Sequence, residues 1–257
     1  MNPSLKLVLF CYAQRILEVG YIFSEVYLRS EYESWVPKRN NPRVIDLGGD
    51  PGAMSALYWK FRAPGATVTV VEANPATATV MKRNLARRNL SGINIVNAVI
   101  AENDNGKALL HLHRPGSGYH TQDFTRDTLD VDHPDGFVVK VPKITLSSLI
   151  QVDEIIDLLK VDIEGAETSA IRELADSGKL RQVEQIIMEF HQSDELWPEN
   201  SLVEMLFLLE SNGFVFADSH ITNGSGIRNK TDIPIETLPD ITRLESRVYL
   251  TFSALRK

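Results

Sequence analysis

Two stretches of this chain carry groups able to move a proton, Leu159-Lys160-Val161-Asp162-Ile163-Glu164-Gly165 and Met188-Glu189-Phe190-His191. Both close apolar runs, so both read as buried strands with their charged residues at the carboxyl end, the edge at which open α/β sheets bind ligands. Side chains two apart in a strand share a face, which groups Lys160 with Asp162 and Glu164, and Glu189 with His191. A hydroxyl held there would lose its proton to His191 or Asp162, since either is in reach and histidine titrates near neutral pH. His191, Asp162 and Glu189 are therefore the candidate catalytic group, with His191 the preferred base. The same three side chains have the composition of an oxygen-and-nitrogen metal site, but a metal-free base is the preferred expectation. Lys160 is expected to pair with a neighbouring carboxylate and keep it charged. Glu167 falls in the first turn of a helix, where its charge complements the dipole, and is given that role.

A second constellation points to the ligand. Asp46-Leu47-Gly48-Gly49-Asp50-Pro51-Gly52 ends the apolar run Val44-Ile45 and opens onto Ala53-Met54-Ser55-Ala56-Leu57, a strand, glycine turn and helix. Gly48, Gly49 and Gly52 let the backbone turn sharply and approach a ligand, while the helix presents unpaired N–H groups to it. Twenty residues past Gly52, a second strand ends in Glu72, placed to accept hydrogen bonds from both ribose hydroxyls. A dinucleotide fingerprint needs glycine where Asp46 stands, and a carboxylate there repels a pyrophosphate. S-adenosyl-L-methionine fits better, because it carries no phosphate and its ammonium and sulfonium attract an acid. Asn97, at the end of the third strand, offers a donor and an acceptor to an adenine edge or simply terminates the strand.

Strands and helices must alternate to hold these groups. The pattern gives strands at 43 to 47, 67 to 72 and 93 to 96, with helices at 53 to 62 and from Pro75 to about Asn89, hence βαβ units and a parallel sheet. It breaks between Glu102 and Gly136, where 108 to 113 reads as a strand pairing antiparallel with 137 to 141. Beyond it come a strand at 155 to 163, a helix at 166 to 174, a strand at 185 to 191, a helix at 201 to 211, and a final strand pair at 214 to 216 and 247 to 252. The polar stretch 219 to 240 reads as a long loop.

Residues 4 to 30 show helical spacing of apolar positions, so residues 1–40 are expected to be a helical extension or cap ahead of a domain spanning 41–257. That cap and the long loop are expected to cover the acceptor, with Tyr12, Tyr21, Phe23, Tyr32 or Trp35 touching it. The net charge of −7 opposes a nucleic acid partner, and the apolar stretch from Leu7 to Ala13 is too short to cross a membrane. The single cysteine, Cys11, rules out an internal disulfide and suits the cytoplasm.

In order and spacing, Asp46 to Gly52, Val71-Glu72-Ala73-Asn74-Pro75, Asn97-Ala98-Val99, Leu159 to Glu167 and Met188 to His191 resemble the FkbM-type methyltransferases. The likeness spans roughly residues 42 to 216. Its most specific element is Lys160-x-Asp162-x-Glu164-Gly165-x-Glu167, and it departs from the usual pattern at Gly49-Asp50-Pro51. Such a resemblance implies an α/β, Rossmann-like class I methyltransferase fold with a mostly parallel seven-stranded sheet and helices on both faces. It also implies O-methyl transfer to a hydroxylated small molecule such as a sugar or polyketide. By that match Asp46, Gly48 and Gly52 surround the methionine part, Glu72 binds ribose, and Asn97 and Ala98 flank adenine; Gly49 in the turn and Asp162, positioning substrate or methionine, are also expected to bind the cofactor. A homodimer is the expected assembly. The alternatives are a noncatalytic S-adenosylmethionine-binding module and a nicotinamide-dependent oxidoreductase, which Asp46 disfavours.

Overall fold

A computed structural model describes residues 32–49, 53–88, 90–112, 120–121, 137–193, 199–223 and 247–257. In chain order these hold β1 (Arg43–Leu47), α1 (Met54–Arg62), β2 (Thr67–Glu72), α2 (Pro75–Arg87), β3 (Ile93–Asn97), β4 (Val99–Ile100), β5 (Lys107–Leu112), β6 (His120–Thr121) and β7 (Phe137–Ile144). They continue with β8 (Leu158–Val161), α3 (Glu167–Asp176), β9 (Gln185–Ser193), α4 (Leu202–Ser211), β10 (Phe214–Asn223) and β11 (Arg247–Arg256).

Seven strands form one sheet in the spatial order β10, β11, β9, β8, β1, β2, β3. Strands β3, β2, β1, β8 and β9 pair in parallel, and β11 runs antiparallel to both neighbours. The chain steps outward from β1 to β3 and then returns to lay β8 on the other side of β1. That reversal makes the carboxyl ends of β1 and β8 the topological switch point, the crevice where such sheets take ligands.

Alternate residues of the central strands enter two separate cores. Val44, Val68, Val70, Leu158 and Ile187 pack with Trp59 of α1 and with Ala78, Met81 and Leu85 of α2. Ile45, Leu47, Leu159, Val161 and Met188 pack on the opposite face with Ile171 and Leu174 of α3 and Met205 and Leu209 of α4. Helices thus cover both faces, which is why these strands read as nearly continuous apolar runs. The α2 start is fixed by Pro75 and by the Asn74 side chain, which accepts from Ala76 N–H at 3.0 Å.

The expected antiparallel excursion is present, with β5 pairing with β7, β6 on its other side and β4 joining β7 in parallel. Two boundaries differ from expectation. The strand expected over 155 to 163 is confined to β8, because Ile156 makes only an isolated bridge to Val183 and the chain turns at Glu164 and Gly165, both at positive φ. The first residues of the expected 219 to 240 loop instead prolong β10 to Asn223, past a register shift between Phe216 and Asp218. The rest of that loop beyond Asn223, and residues 1 to 31 of the expected cap, lie outside the described residues. No helix among the described residues is long and apolar enough to cross a membrane.

Candidate active site

Asp46 and Lys160 are direct neighbours across the β1–β8 pair. Both side chains enter the α1 side of the sheet, where Asp46 is fully buried and Lys160 nearly so. Lys160 Nζ donates to Gly48 O at 2.8 Å, to Leu47 O at 3.2 Å and to Asp162 Oδ2 at 3.1 Å, and lies 3.5 Å from Asp46 Oδ1. Trp59 Nε1 donates to Asp46 Oδ2 at 2.7 Å. Burial disfavours the Lys160 ammonium, but Asp162, then Tyr32 and Asp46, outweigh it and raise its pKa well above the ordinary lysine value. Lys160 therefore stays charged, as its ion-pair role requires. The acid expected at the mouth of the glycine turn is instead inside the fold, held by Trp59 and Lys160. Among the described residues, the accessible acids at this edge are Asp162, Glu164 and Glu189, with side chains 26%, 29% and 25% exposed.

The glycines are required by the fold as well as by any ligand. Gly48 has φ +83°, and a Cβ there would fall 1.7 Å from Asp162 O. A Cβ on Gly49 would meet Met81 Cε and Val70 Cγ1 at 2.8 Å. The N–H groups of both glycines donate to Val71 O, at 3.0 and 3.3 Å, which ties the turn to β2. Gly52 lies outside the described residues.

The proton-moving residues converge as the strand-face argument expected. His191 Nε2 lies 3.5 Å from Glu164 Oε2, 3.9 Å from Glu189 Oε1 and 4.0 Å from Asp162 Oδ1. Glu164 joins them through its left-handed turn, at φ 55°, rather than along an extended strand. Its carboxyl is raised to about 7, chiefly by burial, with His191 pulling it down and Asp162 and Glu167 pushing it up.

Glu167 does more than complement a helix dipole. It is fully buried, and its Oε1 accepts from Gly165 N–H at 3.0 Å and meets His191 Nδ1 at 2.9 Å. Its Oε2 accepts from Asn200 Nδ2 at 2.5 Å, and the same Asn200 nitrogen donates to His191 O at 2.6 Å. Asn200 Oδ1 accepts from Thr168 N–H and Oγ1 at 2.9 and 2.8 Å. Sequence reasoning missed Asn200, whose only local sign is its place just before Ser201, the cap of α4. Burial pulls the His191 pKa down, but Glu167, by charge and hydrogen bond, then Glu164 and Glu189, raise it well above the usual histidine value. His191 Nδ1 is held by the Glu167 carboxylate, and its Nε2 faces Glu164, Glu189 and Asp162.

Glu72 and Asn97 meet at the ends of β2 and β3. Glu72 is buried and its Oε1 accepts from Asn74 N–H at 2.6 Å. Asn97 Nδ2 donates to Glu72 O at 2.8 Å and Ala73 O at 2.9 Å, the strand-terminating role. The Ala98 side chain is buried in the main core, so only its backbone is available to a ligand. Of the expected substrate-facing aromatics, Trp35 is core, its ring edge-on to Trp59 at 5.6 Å. Tyr32 packs on Trp59 and Tyr58, and burial with Asp162, Asp46 and Glu189, opposed by Lys160, raises its phenol well above the ordinary value. Tyr12, Tyr21 and Phe23 lie outside the described residues.

This sheet, with its switch point between a glycine turn and a group of acids, defines a Rossmann-like methyltransferase fold. The FkbM methyltransferase domain family matches residues 46–216, and the chain belongs to that family. Methyltransferase 1 of Beauveria bassiana (strain ARSEF 2860) is 29% identical over 217 residues, covering 78% of this chain and 83% of its own. Methyltransferase sdnD of Sordaria araneosa is 28% identical over 229 residues, covering 79% of this chain and 85% of its own. Among solved structures, M. jannaschii TYW2 in complex with AdoMet is similar at a TM-score of 0.41 and 11% identity, over 90% of this chain and 76% of that one. The protein is an S-adenosylmethionine-dependent methyltransferase, which sets aside the nicotinamide-dependent and noncatalytic alternatives. The residues present fit that donor. Gly48 and Gly49 form a side-chain-free turn, the Glu72 carboxylate closes β2, and Asp162, Glu164 and Glu189 supply negative charge for a sulfonium.

Proposed function

We propose that the enzyme methylates a hydroxyl of a small molecule, such as a sugar or polyketide, at the edge formed by the ends of β8 and β9. The observation that carries this reading is the convergence of Asp162, Glu164 and Glu189 on His191 Nε2, beside the glycine turn. S-adenosylmethionine supplies the methyl group as an electrophile. Glu72 and the turn hold the donor, with Lys160 bracing the turn through Gly48 O and Leu47 O. Most of the acceleration comes from alignment of hydroxyl and methyl, to which a positioned base adds on the order of 10²–10⁴ in rate. That base is a carboxylate of this group, Asp162 or Glu189, while His191 with Glu167 behind it orients the acceptor. The net charge of −7 favours a small acceptor over a nucleic acid.

The test is incubation with S-adenosylmethionine and a panel of glycosides and polyketide alcohols, read by mass spectrometry. An O-methyl ether product that falls about a hundredfold in rate with Asp162→Asn is expected. Methylation of nitrogen or carbon only, with hydroxyls untouched, would refute the assignment.

A further inference from the structure

We propose that Asp162, Glu164 and His191 bind a divalent cation of the Mg²⁺/Mn²⁺ class, which holds the acceptor hydroxyl. This rests on the O-methylation reading and departs from the metal-free base expected from sequence. One ligand atom from each residue lies within 4.8 Å of the other two. Such an ion takes its ligands at about 2.1 Å, so opposite ligands stand about 4.2 Å apart. The three side chains are therefore already near the span of one coordination shell. One imidazole nitrogen with two carboxylates suits a hard or borderline divalent ion.

A second observation concerns how His191 is presented. It is 3% exposed, its Nδ1 is committed to the buried Glu167 at 2.9 Å, and its Nε2 is directed at Glu164 and Asp162. A histidine oriented from behind by a buried carboxylate is the arrangement that fixes tautomer and ring angle for a metal ligand. Glu167 is itself fixed by Gly165 N–H and Asn200, and Gly165 belongs to the turn that delivers Glu164. One buried carboxylate thus sets two of the three ligands at once.

The cation settles which carboxylate is the base. With Asp162 and Glu164 as ligands, Glu189 remains, its Oε1 3.9 Å from His191 Nε2. A hydroxyl beside a divalent cation is a stronger acid than in water. Its proton passes to Glu189, its oxygen forms the bond to the methyl carbon, and the S–CH₃ bond breaks with its electron pair remaining on sulfur. The products are the methyl ether and S-adenosylhomocysteine, and Glu189 returns its proton to solvent.

The test is a titration of chelator-treated protein with Mn²⁺, followed by the electron paramagnetic resonance signal of the free ion. One bound equivalent is expected, with affinity weakened about tenfold or more in each of Glu164→Gln and His191→Gln, both shown to be folded by circular dichroism. Should His191→Gln fail to fold, Asp162→Asn takes its place. A free-ion signal that tracks added Mn²⁺ to millimolar concentrations, or unchanged affinity in both variants, overturns the site. So does methyl transfer that resists chelation, which leaves the O-methylation reading intact. One Mn²⁺ bound at these residues without methyl transfer to any hydroxyl keeps the site and refutes that reading.

Discussion

Replacing Glu167 by glutamine keeps the shape of a fully buried side chain while removing its charge, and so tests whether this carboxylate sets the state of His191. Glu167 now accepts from His191 Nδ1 and Gly165 N–H through one oxygen and from Asn200 through the other. An amide cannot accept on both sides. With its oxygen toward His191, its NH₂ meets the Asn200 NH₂, and in the other orientation it meets His191 and Gly165. Either way a buried donor is stranded at a cost of about 1–3 kcal/mol, and a bond between two charged groups is weakened as well. The expected loss is about 2–4 kcal/mol in denaturant unfolding of chelator-treated protein.

The loss should depend on pH in a defined direction. Glu167 is the largest upward influence on the His191 pKa, so the variant's imidazole should titrate lower by nuclear magnetic resonance. Because the folded-state pKa is raised, the stabilisation from protonated His191 is fully present below the unfolded value of about 6.5. It is lost as pH rises through the folded value. The stability gap between wild type and Glu167→Gln should therefore be widest below about pH 6.5 and should narrow under alkaline conditions. A loss under about 1 kcal/mol, an unmoved His191 titration or a pH-independent gap would refute the reasoning.

Glu72→Gln should weaken S-adenosylhomocysteine binding by about 1–3 kcal/mol in calorimetry, since an amide accepts less strongly from ribose hydroxyls than a carboxylate. Unchanged affinity would remove Glu72 from the ribose site. Gly48→Ala should destabilise the protein by about 2–5 kcal/mol in thermal unfolding, because the new Cβ falls 1.7 Å from Asp162 O at a backbone φ of +83°. A stable variant with unimpaired donor binding would contradict the tight β1–β8 approach.

The sheet was legible because its signals are local. The glycine turn, Pro75 after Asn74, and apolar runs of strand length each announce an element within a few residues. The convergence on His191 was legible too, since strand alternation puts Glu189 beside it and strand-end placement puts Asp162 opposite. The tasks of Glu167 and Asn200 were not. Glu167 at a helix start already has a sufficient local explanation, and its contact with His191 spans 24 residues. Asn200 acts only through contacts that exist once α3, α4 and β9 are packed. The buried partners of Asp46 were hidden for a related reason. Its place beside a glycine turn suggests a ligand, whereas Lys160 directly across the strand pair and Trp59 above it claim the charge. The length of β10 was hidden because Asp218, Ser219 and His220 interrupt the apolar pattern while the pairing with β11 continues through them.

The central claim is that the methyl group is delivered at the Asp162, Glu189 and His191 edge, and a crystal structure with S-adenosylhomocysteine tests it without knowledge of the acceptor. The account predicts ribose hydroxyls on Glu72, the amino acid portion over Gly48 and Gly49, and the sulfur turned toward Asp162 and His191. A ligand whose sulfur faces away from that group, or whose ribose leaves Glu72 untouched, would contradict it.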